Sequence, residues 1–280
     1  MAYNVQASSA DIQHSVYAFP GDEHIDPVTY QRVVFSGYIS TIATLYGAAK
    51  RYGIDPDPQT FERWKRLGAA AGQIDTFLDN SSDPDNNHRL YQLGLTNALN
   101  SAEVPTVPAQ ADPRLQPAIT LLYNGVTELS PSRQQELSRA AQAIGAISLR
   151  KADCTRASDY IDILREEARH TSTLICGMAS EEVSNQPHFN LLSDWCQNAI
   201  TFGTIADSAR DLWQDFVHGR VGVEPTFANS VRLGVRALPF AQAMSRPRLN
   251  RQATLTALRA RVRFSILPTR LALKRYGPPA

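Results

Sequence analysis

Two short rows of aspartate carry the chemistry that can be read from this sequence. The first is Gln73-Ile74-Asp75-Thr76-Phe77-Leu78-Asp79-Asn80-Ser81-Ser82-Asp83. Asp75 and Asp79 are four residues apart, so on a helix they share one face and stand about 6 Å apart along its axis. Asp83 would continue the line, but Pro84 marks the helix as already ended. The second row is Ala206-Asp207-Ser208-Ala209-Arg210-Asp211-Leu212-Trp213-Gln214-Asp215, with Asp207, Asp211 and Asp215 at every fourth position. Like charges stacked in this way repel one another, and at a helix C-terminus they also oppose the dipole. Either row alone fits a solvated acidic face. Two rows, each at the end of an apolar helix, are more specific. Hard carboxylate oxygens suit Mg²⁺, which binds through one or two carboxylates plus phosphate oxygens. A diphosphate held between the rows with Mg²⁺ could depart as a stabilised anion.

The elements that must position these rows are helices. Val33, Val34, Gly37, Ile42, Leu45 and Tyr46 are spaced for a helix that breaks near Gly53 and Pro56. A second is predicted from about Gln59 to Asp79, stopped by the turn formers Asn80 to Pro84. Others are predicted over 88–100, 113–128, 131–152, 155–168 and 169–184. The longest runs from after Pro187 to about His218, with Gly219 as its C-terminal stop. Two more are predicted over 226–244 and 251–276, the last kinked at Pro268. Alternating strand patterns with hairpin turns are missing, so the expected class is all-α. Residues 1–27 read as an N-terminal arm, and 28–280 as one helical domain. The proline-rich stretch 101–113 reads as a loop.

At Arg210-Asp211-Leu212-Trp213-Gln214-Asp215-Phe216-Val217-His218-Gly219-Arg220 the sequence resembles the second aspartate motif of squalene and phytoene synthases, roughly R-D-x-x-E-D-x-x-x-G-R. Asp75-Thr76-Phe77-Leu78-Asp79 resembles the first D-x-x-x-D motif of that family, and Ile175-Cys176-Gly177 stands where it carries a V-A-G helix break. The Asp79-Asn80 pair and the additional Asp207 are similar to the related large terpene synthases, such as tetraprenyl-β-curcumene synthase. The resemblance implies a class I isoprenoid-synthase helical bundle around a central apolar cavity. It implies that Asp75, Asp79, Asp211 and Asp215 are catalytic and hold Mg²⁺, with Asp207 beside them, and that Arg210 and Arg220 contact the diphosphate. Phe77 and Trp213, next to the rows, are expected to touch the substrate and stabilise cationic intermediates.

Departures from the pattern refine the expectation. Gln214 stands where the family carries an acidic residue. Ala70-Ala71-Gly72-Gln73 stands where the family carries an arginine just before the first motif, and Thr171-Ser172-Thr173-Leu174 replaces the aromatic-rich Y-C-x-Y segment. A cyclase acting on a single prenyl diphosphate needs neither feature. The expected function is therefore a terpene synthase. Head-to-head prenyl transfer and a catalytically inactive scaffold of the same fold are the alternatives. His170 and His218 are candidate bases, although diphosphate itself can take the terminal proton. Phe35, Tyr38, Tyr46, Leu174 and Met178 are candidate cavity walls.

Composition sets the remaining bounds. The 280 residues are 43% hydrophobic and 20% charged, enough for a large core. A net charge of +1 and the lack of basic residues interleaved with aromatics exclude nucleic acid as an expected partner. Cys154, Cys176 and Cys196 show no metal spacing and are expected to be reduced and buried, as in a cytoplasmic protein. No secretory signal or spanning segment is recognisable. After Glu224 there is no acidic residue, and Leu255 to Phe264 mixes leucine, valine and arginine. That basic C-terminus is expected to offer peripheral contact to an anionic membrane. Arg275-Tyr276 could instead reach the diphosphate. Monomer and homodimer both remain open.

Overall fold

The computed structural model describes residues 38–79, 99, 103–104, 106 and 115–244, with only the backbone covered at 38–41, 43, 44, 65, 69, 72–79, 115 and 117. Their elements, in chain order, are α1 (Tyr38–Arg51), α2 (Pro58–Asp79), α3 (Leu115–Val126), α4 (Pro131–Asp153), α5 (Ala157–Gly177), α6 (Glu181–Ser184), α7 (Phe189–Val217) and α8 (Phe227–Met244). Among the described residues there is no strand, and the class is all-α. The N-terminal arm, most of the 88–100 helix and the 251–276 helix lie outside them.

Local chemistry sets the helix boundaries. Asp57 precedes α2, and Pro58 occupies its first turn, where a missing N–H costs nothing. The Asp57 carboxylate accepts from the backbone N–H of Thr60 at 2.6 Å and from its hydroxyl at 3.0 Å. The Ser180 hydroxyl donates to the same carboxylate at 2.5 Å and also caps α6 by accepting from Val183 N–H. Burial pushes the Asp57 carboxyl up, but the hydrogen bonds from Ser180 and Thr60 outweigh it and hold the group below its ordinary range. Arg63 is only 2% exposed and locks the same junction. Its guanidinium donates to the Met178 carbonyl at 2.8 Å and pairs with Glu128 at 3.3 Å. Trp64 Nε1 donates to the Ile175 carbonyl at 2.8 Å. The start of α2 is thereby tied to the end of α5.

One boundary differs from the sequence expectation. The predicted helices 155–168 and 169–184 are a single helix to Gly177, followed by the short α6. The polar run around residue 170 does not break it, because Thr171 and Thr173 bond their hydroxyls back to the carbonyls of Glu167 and Arg169. The end falls at Gly177, where a Cβ would stand 2.5 Å from Leu137 Cδ2. That glycine lets α5 approach α4 closely.

α2 packs on α1 and α3, α4 on α5, and α7 on α5 and α8. Two apolar clusters result. The first joins Trp64, Ile119, Leu122, Leu137, Met178, Leu192 and Trp195. The second joins Ile147, Tyr160, Leu164, Ile205, Leu212, Val223 and Leu233. α4, α5, α7 and α8 run through both, so the cluster under the second aspartate row is continuous with helices anchored at the other end. Cys154, Cys176 and Cys196 are all free and buried. The hydrogen bond with Cys176, and then burial, push the Cys196 thiol well up. No helix among the described residues is long and apolar enough to cross a membrane.

Candidate functional site

α7 carries the second aspartate row on its C-terminal half. Leu212 and Ile205 anchor the inner face of this half in the second cluster. The helix ends at Val217, and Gly219 then takes φ 68°, the left-handed turn glycine supplies without strain. Asp207, Asp211 and Asp215 therefore run along one flank. Their side chains become steadily less exposed, from 48% at Asp207 to 22% at Asp215.

Both arginines of the motif sit on this row. Arg210 pairs with Asp207 at 3.1 Å, and its Nε donates to Asp211 at 2.8 Å. The Asp211 hydrogen bond outweighs burial and raises the Arg210 guanidinium above its ordinary value, so it stays charged. After the Gly219 turn, Arg220 N–H donates to the Asp215 carbonyl at 2.8 Å, and its guanidinium lies 3.4 Å from the Asp215 carboxylate. The row's repulsion is thus offset within the chain itself.

A buried polar group that sequence reasoning did not single out lies within the field of Asp215. The Tyr160 hydroxyl, from the start of α5, is hydrogen-bonded with Ser208 of α7. Burial pushes the Tyr160 phenol up, with the charges of Asp215 and Glu167 adding to it, against Lys151 and Ser208. Lys151 of α4 pairs with Glu167 of α5 at 2.6 Å. The spacing of Tyr160, Ile161 and Leu164 marks Tyr160 only as a core position, because Ser208, Asp215 and Lys151 reach it from other helices.

The structure places the remaining sequence candidates unevenly. Asp75 and Asp79 lie in the last turns of α2 with helical backbone, which puts them on one face. Their side chains, and that of Phe77, are outside the described ones. Asp83, Phe35, Tyr38's side chain and Arg275-Tyr276 are also outside. Trp213 is two residues from both Asp211 and Asp215, so it projects from the other side of α7, where it is 69% exposed. Leu174 and Met178 are buried in the first cluster, and Tyr46 packs on Phe61 with ring centroids 4.6 Å apart. Burial and the Arg169 charge lower the His170 pKa, so its ring favours the neutral form. His218 caps α7 and is exposed.

Among the described residues, no group of three or more His, Cys, Asp or Glu side chains could hold a metal. The geometry of α7 explains this: residues four apart stand about 6 Å apart along the axis, too far for three to converge on one ion. The carboxylates nevertheless have the right chemistry for Mg²⁺, since that ion is content with one or two protein oxygens when phosphate supplies others. Carboxylates from a second helix would complete the donor set. No protein-family model matches the chain, and no curated protein matches it.

Proposed function

We propose that this chain is a Mg²⁺-dependent terpene synthase that ionises a single prenyl diphosphate, cyclises the resulting carbocation and releases diphosphate. The observation that carries the reading is the row Asp207, Asp211 and Asp215 with Arg210 and Arg220 held against it. Anion-binding forks and hard metal ligands lie together on α7 and the turn that ends it, the combination that a diphosphate–metal complex requires. Asp75 and Asp79 at the end of α2, with Asp207, Asp211 and Asp215, would hold the metal. When bound, it would neutralise the diphosphate and polarise the bond to be broken.

The chain's own residues do the rest. Arg210 and Arg220 would bind the diphosphate oxygens bidentately and stabilise the charge that grows as the carbon–oxygen bond breaks. Apolar side chains at the end of α5, among them Leu174 and Met178, would exclude water from the cation and hold the prenyl chain in a reactive shape. Incubation with C10, C15, C20 and longer prenyl diphosphates and Mg²⁺, followed by mass spectrometry of the hydrocarbon extract, tests the reading. A cyclic hydrocarbon with one diphosphate released per product is the expected result. Two diphosphates per product would instead identify head-to-head transfer.

One observation favours a second reading. Arg210 and Arg220 already pair with the whole row, and Gln214 stands in place of an acid, so the helix holds together without any metal. A scaffold that keeps the fold without the chemistry fits that self-contained charge balance. Thermal unfolding measured with Mg²⁺ and a non-hydrolysable prenyl diphosphate analogue separates the two: stabilisation that needs both supports the enzyme, and none supports the scaffold.

A further inference from the structure

We infer that the outer face of α8 docks on an anionic lipid surface. α8 has two apolar faces. Leu233, Ala237 and Met244 point inward and are buried. Phe227, Val231, Val235 and Leu238 recur at helical spacing on another side, with Phe227 86% and Leu238 60% exposed. At the same end of the bundle, Trp213 and Val217 of α7 are also exposed. α7 packs along α8 and joins it through residues 218–226. Among the described residues nothing covers this strip, and its aromatic and branched side chains are unusual for a surface that faces only water.

Charge selects the occupant. Arg232 and Arg236 are exposed along one edge of the strip. α8 has no aspartate or glutamate, and neither does any residue after Glu224. Antiparallel pairing of α8 with a second copy would set Arg232 and Arg236 beside their own counterparts. The segment 245–280 is itself rich in arginine, so as a cover it would repel that edge. Anionic headgroups answer both features: the phosphates take the arginines, and the acyl boundary takes Phe227, Val231 and Leu238. No described helix crosses a membrane, so the contact is with one leaflet only.

The test is flotation of the full chain with phosphatidylglycerol–phosphatidylcholine vesicles and with phosphatidylcholine alone, at low and high salt. Binding to the anionic vesicles only, weakened by salt, is expected. The triple variant Phe227→Ser, Val231→Ser and Leu238→Ser should bind about tenfold less or worse. Arg232→Gln with Arg236→Gln should lose about fivefold per arginine. Circular dichroism and sedimentation on every variant check folding and mass. Failure to float with anionic vesicles overturns the inference. So does flotation that survives both α8 variants, which would assign it to segment 245–280, or a dimer that those variants dissolve without any vesicle binding. If the triple variant misfolds, the arginine pair decides alone.

Discussion

Asp211 is the residue on which the charge logic turns. It accepts from Arg210 and lies between two like charges on its own helix. Asp211→Asn removes repulsion and an ion pair together, so stability should change by no more than ~0.5 kcal/mol, as for a partly exposed pair. Under the proposed chemistry turnover should fall by at least about a hundredfold, because a metal ligand and the partner that orients Arg210 are lost together. Unchanged product formation in this variant would remove the row from the mechanism. Asp57 behaves differently. Its folded pKa is depressed below the ordinary 3.8, so the stability it contributes is present above that pH and is lost as pH falls through the lower folded value. Asp57→Ala should cost about 1–2 kcal/mol at neutral pH, the scale of a helix cap. Urea titrations on wild type and variant should show the difference shrinking below pH 3.8.

At the scale of elements, close approaches set the geometry of the site. Gly222, in the connection between α7 and α8, would carry a Cβ 2.6 Å from the Ala152 carbonyl oxygen and 2.9 Å from that of Cys154. Those atoms are backbone at the end of α4 and cannot move aside. Gly177 meets only the tip of Leu137, although that leucine is fully buried. Gly222→Ala should therefore cost about 2–3 kcal/mol and Gly177→Ala about 1–2 kcal/mol, the range for overpacking. Thermal melts of the two variants would rank them, and the reverse order would contradict the packing described. Helices α2, α3, α4, α7 and α8 were legible from the sequence to within a few residues, because apolar spacing and Pro or Gly punctuation agree at each. The end of α5 was marked by Ile175-Cys176-Gly177, but its continuity through residue 169 was not legible, because packing on α4 and α7 carries the polar run around residue 170. The α7 row was legible as four-residue spacing. Tyr160 beside Ser208 was not, because that pairing depends on how α5 and α7 cross.

For the molecule as a whole, two apolar clusters share four helices, α4, α5, α7 and α8. Trp64 stands in one and Leu212 in the other, and α7 carries residues of both. Loss of either cluster strips the buried face from α4, α5 and α7, so the two should not melt separately. Leu212→Ala should destabilise by about 2–5 kcal/mol. It should shift a single thermal transition that far-ultraviolet circular dichroism and tryptophan fluorescence report at the same temperature. Two separated transitions would mean that the clusters are independent units.

The buried thiols give the chain an internal clock. Cys176 lies near the end of α5 and Cys196 a quarter of the way along α7, both closed to solvent in the shared core. A disulfide reagent such as Ellman's can reach them only when those two helices part. Colour development by native protein should therefore be slow, independent of reagent concentration once the reagent is in excess, and paced by helix separation. If Cys176 and Cys196 reacted within the mixing time, α5 and α7 would not be closed over them.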